Sequence, residues 1–237
     1  MRALRILLII VVILGGLFVA ADRVAVHFAE SEAASKAQQT QGLSEKPDVS
    51  IHGFPFLTQV AAKKLDDVTV TAKGITAGTG GSALRIERFT ADLRGVRLGN
   101  GFASAVADTA DGSALVTYAD LTKAAPDGVS VAYGGAAANG KGKVKVTVSL
   151  SLPVVGTVKR SVVSQVSVTG GNTIQLHADS IPNVSGLPSS VETQIRGQID
   201  FARKLVGLPE GIELKSVDTS PDGITVAATG TKVVLAD

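Results

Sequence analysis

The stretch KVKVTVSLSL, Lys143 to Leu152, alternates without a break. Val144, Val146, Val148, Leu150 and Leu152 fall on one side of an extended chain, and Lys143, Lys145, Thr147, Ser149 and Ser151 on the other. Period two with one dry and one wet side is the pattern of an antiparallel strand that covers a core on one face only. Downstream, Val158, Val162, Val166 and Val168 alternate with Lys159, Ser161, Gln165, Ser167 and Thr169, and Pro153 and Gly156 separate this strand from the first. Gly170-Gly171-Asn172 then turns the chain into a further strand, Thr173 to Ser180. Upstream, the same pattern predicts strands at Val49–His52, Val68–Ala72, Ala83–Leu98, Ser104–Asp108, Leu115–Tyr118 and Val129–Tyr133. Within Ala83–Leu98 the apolar phase shifts: Leu84 and Ile86 are even, Phe89, Ala91 and Leu93 odd, Val96 and Leu98 even again, which predicts a bulged strand in a curved sheet. Two closing strands, Ile212–Thr219 and Ile224–Leu235, are joined by Ser220-Pro221-Asp222-Gly223, whose Pro-Asp-Gly order favours a tight turn.

Two segments break this rhythm. Val24 to Gln39 is rich in Ala, Glu and Gln and predicts a helix ending near Gly42, with Val24, Phe28 and Ala25 on its packing face. A second helix of about 19 residues is predicted from Pro188, with Val191, Ile195, Ile199, Ala202 and Val206 as its apolar stripe and Gly207 and Pro209 as its stop. The fold class is therefore α+β: a strongly curved antiparallel sheet together with a long amphipathic helix.

At the N-terminus, Arg2 and Arg5 precede an uninterrupted run of 16 residues, Ile6 to Ala21, without a charge. Such a run is long for a signal peptide's core and short for a membrane span, so residues 1–21 read either as a signal peptide cut after Val19-Ala20-Ala21 or as a retained anchor. In both readings the arginines stay inside, which places residues 22–237 on the far side of the membrane as one domain.

Composition narrows the function. The chain has 237 residues, 23 basic and 21 acidic side chains, no Cys and no Trp, so there is no disulfide framework, thiolate metal site or cysteine nucleophile. A balance this even lacks the basic stripe of a nucleic-acid binder. Gly135 to Lys141 imitates a phosphate-binding loop, yet Gly142 stands where Ser or Thr is needed to hold magnesium, and the segment joins two strands. Gly78 to Ala83 imitates a dinucleotide fingerprint but leads into a charged strand. The histidines, His27, His52 and His177, are scattered. His177, Asp179 and Ser161 or Ser164 form no recognisable triad, since no GxSxG turn is present. Neither an enzyme, a metal site nor a cofactor is expected.

One box stands apart: Gly53-Phe54-Pro55-Phe56-Leu57-Thr58-Gln59. In a chain with only 4% aromatic residues, Phe54, Phe56 and Leu57 cluster around a proline directly after a strand. They either plug one end of the core or present apolar surface to lipid. Lys63 and Lys64 follow, as solvated loop residues or as partners for a phosphate.

The order of features, from export segment and Ala/Glu-rich helix through the GFPFLTQ box and alternating strands to Leu208-Pro209, Leu214-Lys215-Ser216-Val217 and Gly223-Ile224-Thr225-Val226, resembles the actinobacterial LmeA-like phospholipid-binding family over about residues 22–235. The resemblance implies a fold similar to the tubular lipid-binding superfamily, a strongly curved antiparallel sheet wrapped around a long amphipathic helix that leaves an apolar groove for acyl chains. It also implies phospholipid and the membrane surface as partners, and lipomannan and lipoarabinomannan maintenance as the role of mycobacterial relatives. Phe54, Phe56, Leu57, Val191, Ile195 and Ile199 are then the expected lipid contacts. A β-rich envelope assembly or adhesion module without a ligand is the alternative.

Overall fold

The computed structural model describes residues 2–77, 83–99, 104–135, 142–152, 156–178, 201–204 and 210–236. Among the described residues three helices and eleven strands follow one another as α1 (Arg2–Gln41), β1 (Asp48–His52), α2 (Phe56–Ala61), β2 (Lys64–Ala77), β3 (Leu84–Gly99), β4 (Ser104–Val116), α3 (Tyr118–Ala124), β5 (Val129–Tyr133), β6 (Gly142–Leu152), β7 (Gly156–Thr169), β8 (Thr173–Ala178), β9 (Phe201–Lys204), β10 (Ile212–Ser220) and β11 (Gly223–Ala236). The strands form two sheets, one ordered β1-β2-β3-β4-β11-β10 and one ordered β5-β6-β7-β8-β9. The α+β class with antiparallel sheets is what the alternating pattern dictates. The chain divides into two compact units: unit 1 is Met1–Ala72, Ala91–Ala110 and Thr231–Asp237, and unit 2 is Lys73–Thr90 and Asp111–Gly230.

In unit 1, Val49 on β1, Leu65, Val68 and Ala72 on β2, and Leu93 and Val96 on β3 are buried. Leu93 and Val96 lie three residues apart, so the inward phase changes once between them. The change falls at Gly95, whose φ of 62° only glycine adopts freely. The predicted phase slip is thus a real kink of the strand. Ser104–Asp108 and Leu115–Val116, predicted in two separate strands, belong to one, β4, while the predicted strand end Thr117–Tyr118 is instead the cap and first residue of α3.

Unit 2 is built on KVKVTVSLSL. Val144, Val146 and Val148 are all but inaccessible to solvent and join Val129, Val162, Val166, Val217 and Ile224 in one buried cluster. The register pairs Val146 with Val162 and Val144 with Ser164 on adjacent strands, so valines on β5, β6 and β7 make a continuous apolar face. Toward the margin, Val131, Val168, Ile174 and Leu176 are only partly covered. β5 and β6 pair antiparallel, with Tyr133 opposite Val144, so the phosphate-loop look-alike connects the two arms of a hairpin, although residues 136–141 lie outside the described residues. The turn between β10 and β11 is secured from α3: the Tyr118 hydroxyl donates to the Ser220 carbonyl at 2.8 Å. Thr117 caps α3 by accepting from the Asp120 N–H, and its hydroxyl donates to the buried Asp120 carboxylate.

Two expectations about helices need correction. The helix predicted from Pro188 does not continue through Ala202 toward Val206, because Phe201–Lys204 is strand β9. It pairs antiparallel with β8, Leu176 opposite Phe201 and Thr173 opposite Lys204, so it satisfies a sheet edge that the helical pattern alone cannot reveal. Residues 179–200, with Val191, Ile195 and Ile199, lie outside the described residues. The N-terminal helix does not begin at Val24 either. It is a single helix of 40 residues in which the apolar run continues without a break into the predicted segment.

Candidate functional site

The GFPFLTQ box closes β1 and opens α2. Gly53 turns the chain at φ 94°, the Phe54–Pro55 bond is cis, and α2 starts at Phe56. Proline cannot supply a side-chain oxygen, so the N-cap position of α2 offers nothing to the first free N–H groups. Asp22, on α1, supplies it instead. Its carboxylate accepts from the Leu57 N–H at 2.8 Å and is completely buried. Burial pushes this carboxyl upward, but the N–H donors of Leu57 and Phe56 together with the Arg23 guanidinium outweigh burial and hold it below the usual carboxylate value.

The rest of the box's polar residues are equally occupied. Gln59, buried, donates from its amide to the His52 carbonyl at 3.2 Å and accepts from the Asp66 N–H at 2.8 Å, tying the end of β1 to the start of β2. The Thr58 hydroxyl returns to the Pro55 carbonyl at 2.8 Å. Glu30, two turns beyond Asp22, accepts from the Ile51 N–H at 2.8 Å and so covers a donor on the outer edge of β1.

The three box residues expected to meet lipid are therefore treated differently by the fold. Phe56 is 5% exposed and belongs to the core of unit 1. Leu57 is half-buried at the first turn of α2. Phe54 is 58% exposed, and the Arg23 guanidinium carbon lies 5.1 Å from its ring centre, a cation–π arrangement. Phe56 plugs the core, as the structural reading of the box expects, while Phe54 faces outward. Val24 and Phe28, expected on the packing face of the helix, are 70% and 71% exposed; the stripe that packs is Asp22, Val26, Glu30 and Ala34, at spacing four. Sequence reasoning missed Asp22, Glu30 and Gln59. The one available signal was an acid placed immediately after the apolar run.

Lys64 points toward Asp108, 4.0 Å away, and Lys63 adopts a positive φ of 53° where β2 begins. On unit 2, His177 and Ser164 do not share a face: His177 lies opposite Gln165 and Ser164 opposite Ala178, one residue out of phase, and the Ser161 hydroxyl bonds to Thr147. Ser164 itself is fully buried among the valines, and its hydroxyl has no hydrogen-bond partner among the described residues.

The sequence model of the LmeA-like phospholipid-binding family matches residues 20–229. The chain belongs to this family. The match covers most of the chain and takes in Asp22, the GFPFLTQ box and the valine face of unit 2. No curated protein and no solved structure matches the chain.

Proposed function

We propose that this LmeA-like chain is an exported phospholipid-binding protein of the cell envelope that holds acyl chains against an apolar face and performs no reaction on them. The observation that carries the reading is the family match across residues 20–229. The valine face of β5 to β8 supports it, because its partly covered margin at Val131, Val168, Ile174 and Leu176 offers apolar surface to a chain. The acyl contacts are then this face of unit 2, with Val191, Ile195 and Ile199 in the sequence that follows β8, whereas Phe54 and Leu57, in unit 1, meet lipid at the membrane surface. Phe56 serves by fixing the turn that presents Phe54.

Magnitudes favour a carrier over a store. Taking a sixteen-carbon chain out of water is worth about 13 kcal/mol at about 0.8 kcal/mol per methylene, but taking it out of a bilayer gains close to nothing. Such a protein discriminates by shape and head-group contact and returns its cargo to a membrane.

The test is native mass spectrometry and lipid extraction of the protein purified from envelope membranes. Phospholipid bound in a stoichiometric complex is the expected result. Protein free of lipid that also fails to bind phospholipid vesicles would leave the assembly-module reading in its place.

A further inference from the structure

We propose that residues 1–21 stay on the mature protein as a membrane anchor, and that Phe54, with Val24 and Phe28, sits in the head-group layer beside it and contacts the bilayer. The inference rests on the exported placement proposed above, but not on the lipid cargo.

The first argument is continuity. α1 is helical on both sides of Ala21, and the residue directly after the apolar run, Asp22, is already buried against α2. Val26, Glu30 and Ala34 extend the same seam at spacing four, so no linker separates the greasy half of the helix from the half fixed to unit 1. Before that point the large apolar side chains from Leu4 to Val19 are all exposed, and the most apolar window has a mean hydropathy of 2.8 with none of it buried.

The second argument is depth. The run Ile6 to Ala21 is about 24 Å long at 1.5 Å per residue, short of a hydrocarbon core of about 30 Å. The deficit corresponds to about four residues. On α1 beyond Ala21 the exposed large apolar groups are Val24 and Phe28, on the side opposite the packed stripe, and Phe54 is exposed on the turn beside Arg23. Helical side chains lean toward the N-terminus, here toward the membrane, so Val24 and Phe28 extend the apolar surface in the direction that makes up the deficit. Phe54 lies against Arg23, which is only about 3 Å along the axis from Ala21. An exposed aromatic ring stacked on an arginine just outside an apolar span matches the interfacial aromatic belt, with the arginine stem lying along the ring and its charge reaching the phosphates.

The test uses the full chain recovered from membranes. Its intact mass is expected to include residues 1–21; a mass beginning at Asp22 would overturn the inference. The chain has no tryptophan, so Phe54→Trp introduces a single indole at an exposed position, and Phe28→Trp provides a second variant should the first misfold. In phosphatidylcholine–phosphatidylglycerol vesicles the indole emission is expected to shift to the blue and to be quenched by lipids brominated near the glycerol end of the acyl chain, but not by lipids brominated near its terminus. Emission of a fully hydrated indole, unaffected by brominated vesicles, would refute the placement. So would quenching by one equivalent of brominated lipid in detergent without vesicles, which would put Phe54 in a cargo groove. A protein that carries no cargo lipid yet shows a quenched indole keeps this inference and loses the proposed function; a protein loaded with lipid whose indole stays hydrated does the reverse.

Discussion

Val144 and Ser164 face each other across β6 and β7, and neither has accessible surface. Their alanine substitutions should nevertheless move stability in opposite directions. Val144→Ala removes two buried carbons, worth about 1.6 kcal/mol in transfer at about 0.8 kcal/mol each, and the unfilled space raises the loss to about 2–3 kcal/mol. Ser164→Ala removes a hydroxyl that has no hydrogen-bond partner among the described residues. The desolvation penalty of such a group is about 1–3 kcal/mol, and the oxygen's lost packing offsets part of the relief, so the variant should gain about 1 kcal/mol. Because the chain has two compact units, a single global transition is a poor readout. Amide hydrogen exchange of β6 and β7 on lipid-stripped protein reports the local opening free energy directly. Were Ser164→Ala to lose as much protection as Val144→Ala, the hydroxyl would have to be satisfied, and the account of this face as a dry valine surface with one unmet donor would fail.

Three further outcomes follow from particular contacts. Asp22→Asn should loosen α2 from α1, read as faster exchange at the Phe56 and Leu57 amides. In the parent chain the carboxyl is held below its ordinary value of 3.8, so its contribution is complete above that value and disappears as pH falls through the lower folded value; the Asn variant should lack this acid-dependent component. Burial pushes the Tyr118 hydroxyl up to about 12 from 10.0, so its contribution is intact below 10.0 and is lost as the pH climbs toward 12. Tyr118→Phe should cost about 1 kcal/mol at neutral pH by losing the bond to Ser220 and should flatten that alkaline loss in a denaturation series. Gly223→Ala should cost more than about 1 kcal/mol, since a Cβ there is driven into the Val116 carbonyl, a backbone atom that cannot swing aside; unchanged exchange in the β10–β11 turn would contradict this.

The sheets were legible because alternation records burial directly. Every second residue from Val144 to Val148 had to be apolar if one face was to be dry, and each of them is buried. The phase slip near Gly95 was legible for the same reason. What escaped was structure held by remote partners. α2 has six residues, too few for a helical period to show, and its N-terminal donors are met by a carboxylate 35 positions upstream. Hydrophobicity placed Val24 and Phe28 inward, yet the inward stripe includes Asp22 and Glu30, chosen by the backbone donors of Leu57 and Ile51 rather than by apolar surface. Phe201–Lys204 carried a helical stripe and became a strand because the open edge of β8 pairs with it. Of the expected lipid contacts, the box was legible as a cluster, but its division into an exposed Phe54 and a buried Phe56 depended on which way the turn at Gly53 faced.

The charge balance bears on how such a protein stays at a membrane. Arg2 and Arg5 are the only charges in residues 1–21, so of the 23 basic groups 21 remain beyond Ala21, against 21 acidic ones. A basic side chain near an anionic surface contributes about 1 kcal/mol, and a neutral domain gains no net attraction of that kind. Severed from the apolar run, it would have to rely on Val24, Phe28, Phe54 and whatever lipid it carries. With α1 intact the question of affinity vanishes, and the short distance from Ala21 to Arg23 instead fixes where the Phe54 turn stands. On this reasoning Asp22 is the pivot of the molecule: it ends the apolar run, caps the helix that the box opens, and, with the run held in a membrane as proposed, makes the height of that box above the lipid a matter of helix geometry.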